Sequence, residues 1–321
     1  MKKISRKIVM FTAFAILISS VGVFANDYPD KPIEMVVPYA PGGRSDIAAR
    51  ILGKYFPKYL DQPTVIVNIA GASGTVGSQN VLESRPDGYR LLNHHESMLS
   101  SFETGLVNFT WNDFTVICTT VATDNVVVAM PDAPYSNWQE LKEYSQKNPN
   151  ALTMGVSVGS NAHLAGIVMN KDAGGTLDIA LGGGGDTDRI TKLLGGHLDL
   201  TTASVPSVMG FIEAGQLKPI VLQSRDKSKF LPNVQTWEEA NLKGNFGYYQ
   251  VIYAPPGTPD NVVRIISEAI KEISSNSEYI EEIEKNGIEV TYLDTKESIE
   301  FLKQEEDYFR PLFEEAGLVK K

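Results

Sequence analysis

Short apolar runs alternate with amphipathic stretches along most of this chain, and no other feature constrains its fold as much. Residues 33–39 predict a buried strand, and residues 46–59 follow with apolar side chains at helical spacing. The same order recurs along the chain and restarts near residue 130. Strands that alternate with helices over this length predict an α/β fold with mostly parallel sheets, and the restart favours two similar lobes over one sheet.

The predicted elements follow this alternation from one end to the other. Strands are expected over residues 33–39, 64–67, 89–92, 125–130, 152–156, 177–181, 198–202, 219–222 and 247–253. Helices are expected over residues 46–59, 78–84, 138–147, 162–170, 187–194, 207–214, 259–270 and 296–315.

The N-terminus has the pattern of a secretory signal peptide. Basic residues in the first seven positions precede an apolar run over residues 8–18, and residues 21–25 offer small side chains at the usual cleavage spacing. A transmembrane anchor is the alternative, but the apolar run is too short to span a bilayer. We therefore expect cleavage after Ala25 and a soluble mature protein in the periplasm.

Charge and cysteine content narrow the choice of partners. The chain has 29 basic and 39 acidic residues, which give a formal net charge of −10. A net negative charge argues against nucleic acid and anionic lipid as partners, so an anionic ligand would have to be attracted by local geometry. Cys118 is the single cysteine, so no disulfide can form within the chain.

Four glycine-rich turns follow predicted strands and open predicted helices, at residues 40–46, 71–78, 157–161 and 182–186. The first turn of a helix carries backbone N–H groups without partners and a partial positive charge. Glycine lets a ligand approach this backbone closely. In open α/β sheets such turns lie at the carboxyl ends of the strands, where ligands bind. Together the four turns predict an anion site built from backbone groups.

Two other interpretations of these turns compete with the anion site. Each turn taken singly can be an ordinary loop in which Ser45 or Ser160 only caps a helix, but four turns divided between two lobes favour a site. A nucleotide site is disfavoured because Gly71, Gly74 and Gly77 are spaced G-x-x-G-x-x-G, and no P-loop motif occurs in the sequence. We therefore predict no cofactor.

An enzyme is suggested by residues 155–159, which match the G-x-S-x-G nucleophile elbow of α/β-hydrolases. A serine hydrolase would use Ser157 as the nucleophile and would need an acid and then a histidine well downstream. His163 lies on the next predicted helix, and His197 lies at a Gly-Gly turn that enters a strand. We expect a binding protein and not an enzyme, with the serine hydrolase as the alternative.

Several segments together resemble one protein family. They are Tyr28–Ile33 leading to Val37–Gly43 with Asp46, Gly71–Gly74 leading to Arg85–Tyr89, Leu193–Asp199 leading to Ala214–Lys218, Leu231–Thr236, and Ala254–Pro259. On these motifs the chain resembles the Bug family, the TctC-like periplasmic substrate-binding components of tripartite tricarboxylate transporters. The resemblance implies a two-lobed periplasmic-binding-protein fold in which the chain crosses twice between the lobes and the ligand lies in the cleft.

The resemblance also implies where a small organic carboxylate would bind, between the first and third turns of opposite lobes. The residues carried over are Pro41, Gly42, Gly43, Ser45 and Asp46 in the first lobe and Ser157, Gly159, Ser160 and His163 in the second. Further residues expected to line the site are Tyr39, Arg44, Ala72, His95, Ser97, Gly184, Gly185 and Ser204. Asp46 would repel an anion, so its expected role is to orient the loop.

Two stretches depart from the family pattern. Residues 183–185 are glycines where many relatives have Tyr-Lys-Gly, so this wall offers no lysine to the second end of a ligand. His94, His95 and Glu96 stand where relatives usually have small and hydroxyl residues. Because neighbouring side chains on a strand point to opposite faces, we expect one histidine in the cleft, the other exposed, and no metal site. Arg44 is expected either to reach a distal carboxylate or to face solvent.

These expectations define an organisation and a set of partners. Residues 1–25 form the signal peptide, residues 26–127 and 247–321 form the first lobe, and residues 128–246 form the second lobe. The expected partners are the carboxylate ligand and the membrane permease subunits of a tripartite tricarboxylate transporter. We expect a monomer that has no catalytic residues and does not bind nucleic acid.

Overall fold

A computed structural model of the protein describes residues 28–158, 160–182, 185–224, 227–244 and 246–319. The predicted signal peptide lies outside these ranges, and so do two residues expected in the cleft, Gly159 and Gly184. Within the described ranges, no helix combines the length and the apolar character that are needed to cross a membrane.

The described residues form eleven strands and ten α-helices. The strands are β1 (Ile33–Val37), β2 (Thr64–Asn68), β3 (Arg90–His95), β4 (Thr115–Thr123), β5 (Asn125–Ala129), β6 (Leu152–Ser157), β7 (Leu177–Gly182), β8 (Leu200–Ser204), β9 (Lys218–Leu222), β10 (Tyr248–Ala254) and β11 (Glu289–Leu293). The helices are α1 (Arg44–Leu60), α2 (Thr75–Leu82), α3 (Ser97–Glu103), α4 (Trp138–Lys147), α5 (Asn161–Asp172), α6 (Asp186–Leu194), α7 (Val205–Glu213), α8 (Asp260–Ser274), α9 (Ser277–Glu284) and α10 (Thr295–Glu315).

The described strands form two sheets, with the strand orders β11-β4-β10-β3-β1-β2 and β7-β6-β8-β5-β9. In the first sheet β1 is parallel to β2 and β3, whereas β10 is antiparallel to β3 and β4. In the second sheet β6 is parallel to β7 and β8, whereas β5 is antiparallel to β8 and β9. The chain passes from the first sheet to the second at β5 and returns to the first sheet at β10. The predicted α/β fold with two lobes is confirmed. The first lobe contains the first of these sheets, and the second lobe contains the second.

Both faces of each sheet are covered, which explains the continuous apolar runs in the strands. On β1, Met35 and Val37 pack in a core with residues of α1 and α8, whereas Val36 packs in a separate cluster on the opposite face. Alternate residues of β5 divide between two clusters in the same way. A strand that is buried on both faces is apolar throughout and does not alternate with polar residues.

Four elements were not predicted from the sequence, namely β4, β11, α3 and α9. Strand β4 contains four threonines among its nine residues, so apolar periodicity alone does not predict it. Threonine is β-branched and therefore suits a strand. The backbone N–H of buried Thr119 donates a hydrogen bond to Oγ of Ser298 at 2.8 Å. Tertiary contacts of this kind let a buried strand carry polar side chains.

The C-terminal helix α10 contacts both lobes. It begins at a capping box around Asp294, and Leu302 packs in a core cluster of the first lobe. Phe309 and Phe313 pack in the core of the second lobe, where the rings of Phe309 and Phe246 lie 5.6 Å apart between centroids. The last turns of α10 therefore pack with the second sheet, although residues 247–321 are expected to belong to the first lobe.

Replacement of Phe309 by alanine is expected to lower the free energy of unfolding by about 3–5 kcal/mol, because the side chain is 1% exposed and its loss leaves a cavity. Urea denaturation followed by circular dichroism measures this change. Leu106→Ala, at a residue that is 50% exposed, is the control and is expected to change the free energy by less than about 0.5 kcal/mol. Equal effects of the two substitutions would contradict the packing of α10 on the second lobe.

Candidate functional site

The turn after β1 is held in place by Asp46. Its Oδ2 accepts hydrogen bonds from the backbone N–H of Gly42 and from Nε of Arg50, both at 2.9 Å, and its Oδ1 accepts one from Asn68 Nδ2 at 2.9 Å. Burial raises the pKa of Asp46, but these hydrogen bonds outweigh it and hold the pKa below its usual value. Gly42 has a φ of +82°, a conformation that favours glycine. The carboxylate of Asp46 therefore fixes the shape of the loop.

Several described helices begin without a side-chain cap, among them α1 in the first lobe and α5 in the second. Helix α1 begins after Gly43, and helix α5 begins after Ser160. The hydroxyl of Ser160 does not cap its helix, because Oγ donates to the backbone carbonyl of Ser157 at 2.7 Å. The first turns of α1 and α5 can therefore offer their backbone N–H groups and partial positive charge to an acceptor from outside the helix.

The first residue of α5 contacts the first lobe. Asn161 donates from Nδ2 to Oε1 of Glu96 at 3.2 Å, and its Oδ1 accepts a short hydrogen bond from the hydroxyl of Ser100. Oε2 of Glu96 accepts from the backbone N–H of Tyr249 at 2.8 Å, where the chain returns to the first sheet. Glu96 therefore joins the second-lobe helix α5 to the returning strand β10.

Glu96 holds a proton at neutral pH. Burial raises the pKa of this carboxyl group to about 8, and nearby Glu305 adds to the increase. The hydrogen bond from Tyr249 and the charge of Arg44 act in the opposite direction but do not cancel the effect of burial. The interlobe contact at Glu96 is therefore made by a neutral carboxylic acid below about pH 8.

Both histidines of β3 are buried, so the expectation that one of them faces solvent is wrong. His94 is 1% exposed and His95 is 4% exposed. The ring of Tyr39 stacks on His95 at 5.0 Å between centroids and meets His94 edge-on at 5.5 Å. The glycine turn before α2 packs against the same rings, because a Cβ on Gly74 would lie only 3.0 Å from Nε2 of His94 and from the hydroxyl of Tyr39.

Both histidines are neutral at pH 7. Burial lowers the pKa of His94 to about 4. Nδ1 of this ring accepts a hydrogen bond from the backbone N–H of His95. Burial also lowers the pKa of His95 well below its usual value, and the charge of Arg44 lowers it further. Within the described ranges, no group of three or more His, Cys, Asp or Glu side chains is arranged to hold a metal ion.

Arg44 is largely buried, and the alternative of a solvent-facing arginine is wrong. Its side chain is 12% exposed, and its guanidinium carbon lies 3.4 Å from the centroid of the Tyr248 ring. Its Nη1 lies 3.4 Å from Oδ2 of Asp186. Because Arg44 is the first residue of α1 and Asp186 is the first residue of α6, this ion pair connects the two lobes. The guanidinium also gains from contact with the face of the ring.

Asp186 is the centre of a network that the sequence analysis missed. Its Oδ2 accepts hydrogen bonds from the backbone N–H of Ser204 at 2.9 Å and from the hydroxyl of Ser204 at 2.7 Å. Its Oδ1 accepts from Nη2 of Arg189 at 2.7 Å. Burial raises the pKa of Asp186, but the charges of Arg189 and Arg44 outweigh it, so the carboxyl group stays ionised. The sequence signal was an aspartate directly after the glycine run, with an arginine one helical turn later.

The remaining predicted residues that the structure describes lie around these contacts or outside them. The hydroxyls of Tyr39 and Ser97 lie 3.1 Å apart, and the hydroxyl of buried Ser45 accepts from Nε2 of Gln250 at 2.9 Å. Gly185 and Ser204 are the N-cap residues of α6 and α7, and His163 is a buried residue of α5. Pro41 and Ala72 are exposed on their turns.

The hydroxyl of Ser157 is hydrogen-bonded to an arginine side chain. Its hydroxyl accepts a short hydrogen bond from Nη1 of Arg189. A serine hydrolase needs a neighbouring base that removes the hydroxyl proton, and an arginine side chain stays protonated in proteins. This contact differs from a nucleophile–base pair and fits a hydroxyl that is positioned for hydrogen bonding.

Comparison with known proteins identifies the family. The sequence profile described as tripartite tricarboxylate transporter family receptor, TctC, matches residues 48–318, which is more than half of the chain. The chain belongs to this receptor family. Its sequence is 28% identical to a UPF0065 protein of Bordetella pertussis over 308 residues, which cover 95% of each chain. The resemblance to the Bug family is thereby confirmed.

Solved structures of related proteins have the same fold. The periplasmic binding protein BugD is 28% identical and superposes with a TM-score of 0.79 over 92% of this TctC-family chain and 100% of its own. Rpa4515 of R. palustris, solved with adipate, is 21% identical and superposes with a TM-score of 0.83 over 91% of this chain and 99% of its own. Family and fold are those of substrate-binding proteins.

The buried proton on Glu96 predicts that stability falls as the pH rises from about 7 to 8. The folded protein keeps this proton to about pH 8, whereas an exposed glutamate loses it near pH 4.5, so ionisation favours the unfolded chain. Neutral His94 and His95 have the opposite effect, but only below about pH 6.5, where unfolded histidine gains a proton. Urea denaturation at closely spaced pH values between 6 and 9 measures the profile.

Two substitutions separate these contributions. Glu96→Gln is expected to flatten the profile between about pH 7 and 8, because glutamine does not titrate. His94→Gln is the matched control, and it is expected to keep the slope in that interval and to change the profile only below about pH 6.5. An unchanged slope in Glu96→Gln would show that Glu96 is ionised in the folded protein.

Proposed function

We propose that this protein is an extracytoplasmic solute-binding protein that captures a small organic carboxylate between its lobes and delivers it to the membrane permease of a tripartite tricarboxylate transporter. The observation that carries the proposal is the meeting of helix starts from opposite lobes. The first residue of α1, Arg44, contacts the first residue of α6, and the first residue of α5, Asn161, contacts Glu96. Membership of the receptor family supports the transport role.

A carboxylate suits these helix starts. Each hydrogen bond from a backbone N–H to an ionised carboxylate contributes about 1.5–3 kcal/mol, so two or three of them suffice for micromolar binding. The proposed contacts come from the turns over residues 40–46 and 157–161, together with Tyr39, His95 and Ser97 at the ends of neighbouring strands. The adipate bound by the related Rpa4515 supports an organic acid as the ligand class.

Binding is proposed to favour the closed arrangement of the lobes. A ligand that touches the turn after β1 and the turn before α5 makes both sets of contacts only when the lobes are together. The polar contacts of Asn161 with Glu96 and Ser100 would form in that same arrangement. The permease would then recognise the closed protein.

We further propose that the protein is a periplasmic monomer that works without turnover, cofactor or metal. The signal-peptide pattern of residues 1–25 and the likeness to the periplasmic protein BugD support the location. The hydrogen bond from Arg189 to the hydroxyl of Ser157 weighs against the serine hydrolase, which needs a base at that position.

Thermal unfolding of the purified protein against a panel of mono-, di- and tricarboxylates tests the proposal. A bound acid at about 100 times its dissociation constant is expected to add about 2.7 kcal/mol, which raises Tm by about 5 °C for a chain of this size. The amides of the same acids are the controls and are expected to leave Tm unchanged. A panel without any shift, together with labelling of Ser157 by a fluorophosphonate, would favour the hydrolase.

Asp46→Ala is expected to weaken binding of the acid that gives the largest Tm shift by about 1–3 kcal/mol, because the turn loses the acceptor for Gly42 N–H. Isothermal titration calorimetry measures the dissociation constant. Asp307→Ala, on the exposed side of α10, is the control and is expected to bind as the wild type does. Wild-type affinity in Asp46→Ala would refute the assignment of this turn to the site.

A further inference from the structure

The charges between the two lobes do not balance. We call the contact formed by Arg44, Asp186, Arg189, Glu96 and Tyr248 the interlobe junction. Asp186 is closer to Arg189 on its own helix, at 2.7 Å, than to Arg44, at 3.4 Å. Its Oδ2 already accepts two hydrogen bonds from Ser204. Asp186 is therefore shared between Arg189 and Arg44, so that one carboxylate faces two guanidinium groups.

Glu96 and Asp46, two other acidic groups near Arg44, do not supply the missing negative charge. Glu96 holds its proton at pH 7, because burial raises the pKa of this carboxyl group to about 8. Asp46 is ionised, but its carboxylate is bonded to Arg50 and to the turn of its own lobe. His95 is neutral beside Arg44. At neutral pH the interlobe junction has two guanidinium groups and one carboxylate, a net charge of one positive unit.

Arg44 also has an unused hydrogen-bonding edge. Among the described residues, its only hydrogen bond goes from Nη1 to Asp186, and its buried Nε has no partner. In a guanidinium group, Nε and the outer Nη2 form an edge that matches the two oxygens of one carboxylate. The guanidinium carbon lies 3.4 Å from the centroid of the Tyr248 ring, and this contact and Asp186 hold the group in place. The edge is therefore oriented before any ligand arrives.

We propose that the Nε–Nη2 edge of Arg44 binds one carboxylate of the ligand directly and that Asp186 limits the ligand charge compensated at the interlobe junction to one. The inference rests on the proposed function and narrows its ligand class. Between two acids of the same chain length, the site prefers the one with a single negative charge at neutral pH. Arg44 is then a determinant of specificity that acts through its own contact with the ligand.

The contact is tested with hexanoate at pH 7 by isothermal titration calorimetry. Arg44→Gln is expected to weaken hexanoate binding by about 10- to 100-fold, the effect of losing hydrogen bonds to a charged group. Arg44→Lys keeps the charge and loses the planar edge, so an intermediate affinity is expected. Arg264→Gln, which removes an exposed arginine of α8, is the control and is expected to bind as the wild type does.

The charge limit is tested with adipate, which has the chain length of hexanoate and a second carboxylate. The wild type is expected to bind hexanoate more tightly than adipate. Asp186→Asn adds one positive unit to the interlobe junction, so the ratio of adipate affinity to hexanoate affinity is expected to rise about tenfold. Tm values of the ligand-free variants establish that each variant is folded.

Distinct outcomes overturn the two parts of the inference. A folded Arg44→Gln variant with wild-type affinity for hexanoate overturns the contact, and so does a wild type that binds neither six-carbon acid. Tighter binding of adipate than of hexanoate by the wild type, or an unchanged ratio in Asp186→Asn, overturns the charge limit. Failure of the proposed function differs from all of these, because the wild type would then bind no acid of the wider panel.

Discussion

The two lobes meet through polar groups that are largely shielded from water, and each of these groups depends on a partner that the other lobe or the returning chain supplies. Arg44 uses the ring of Tyr248 and the carboxylate of Asp186, and Glu96 uses Asn161 and the backbone of strand β10. A buried polar group without a partner is costly, so this contact is stable only when both sheets and the second crossover are in place. The geometry of the cleft therefore depends on the hydrogen bonds and the ion pair that these few polar groups make.

Two aspartates next to glycine turns illustrate how the same local pattern acquires different roles. Asp46 accepts from Gly42, Arg50 and Asn68, all in the first lobe, so its charge is used inside the loop that it shapes. Asp186 accepts from Arg189 and Ser204 of its own lobe and also lies 3.4 Å from Arg44 of the other lobe. The difference lies in what the neighbouring lobe brings near each carboxylate, because both residues lie within the first turn of a helix.

Much of the fold was predictable because its signals are local. The apolar strands, the glycine turns and the amphipathic face of α1 depend on nearest neighbours in sequence, and the family resemblance follows from the same motifs. Strand β4 was missed because its polar side chains are buried through long-range contacts, such as that of Thr119 with Ser298 of α10. The packing of Phe309 and Phe313 in the second lobe was missed for the same reason, since it depends on where the end of α10 lies.

The sequence by itself determined the alternation of strands and helices, the turns that open the helices, and the family. Only the tertiary structure decided that His94 and His95 are both buried and neutral, that Glu96 keeps its proton, and that Arg44 pairs with Asp186. The physical reason is that a charge state depends on the water and charges around a group, and these come from residues distant in sequence. Local patterning therefore placed the turns of the site, whereas long-range packing set its charge.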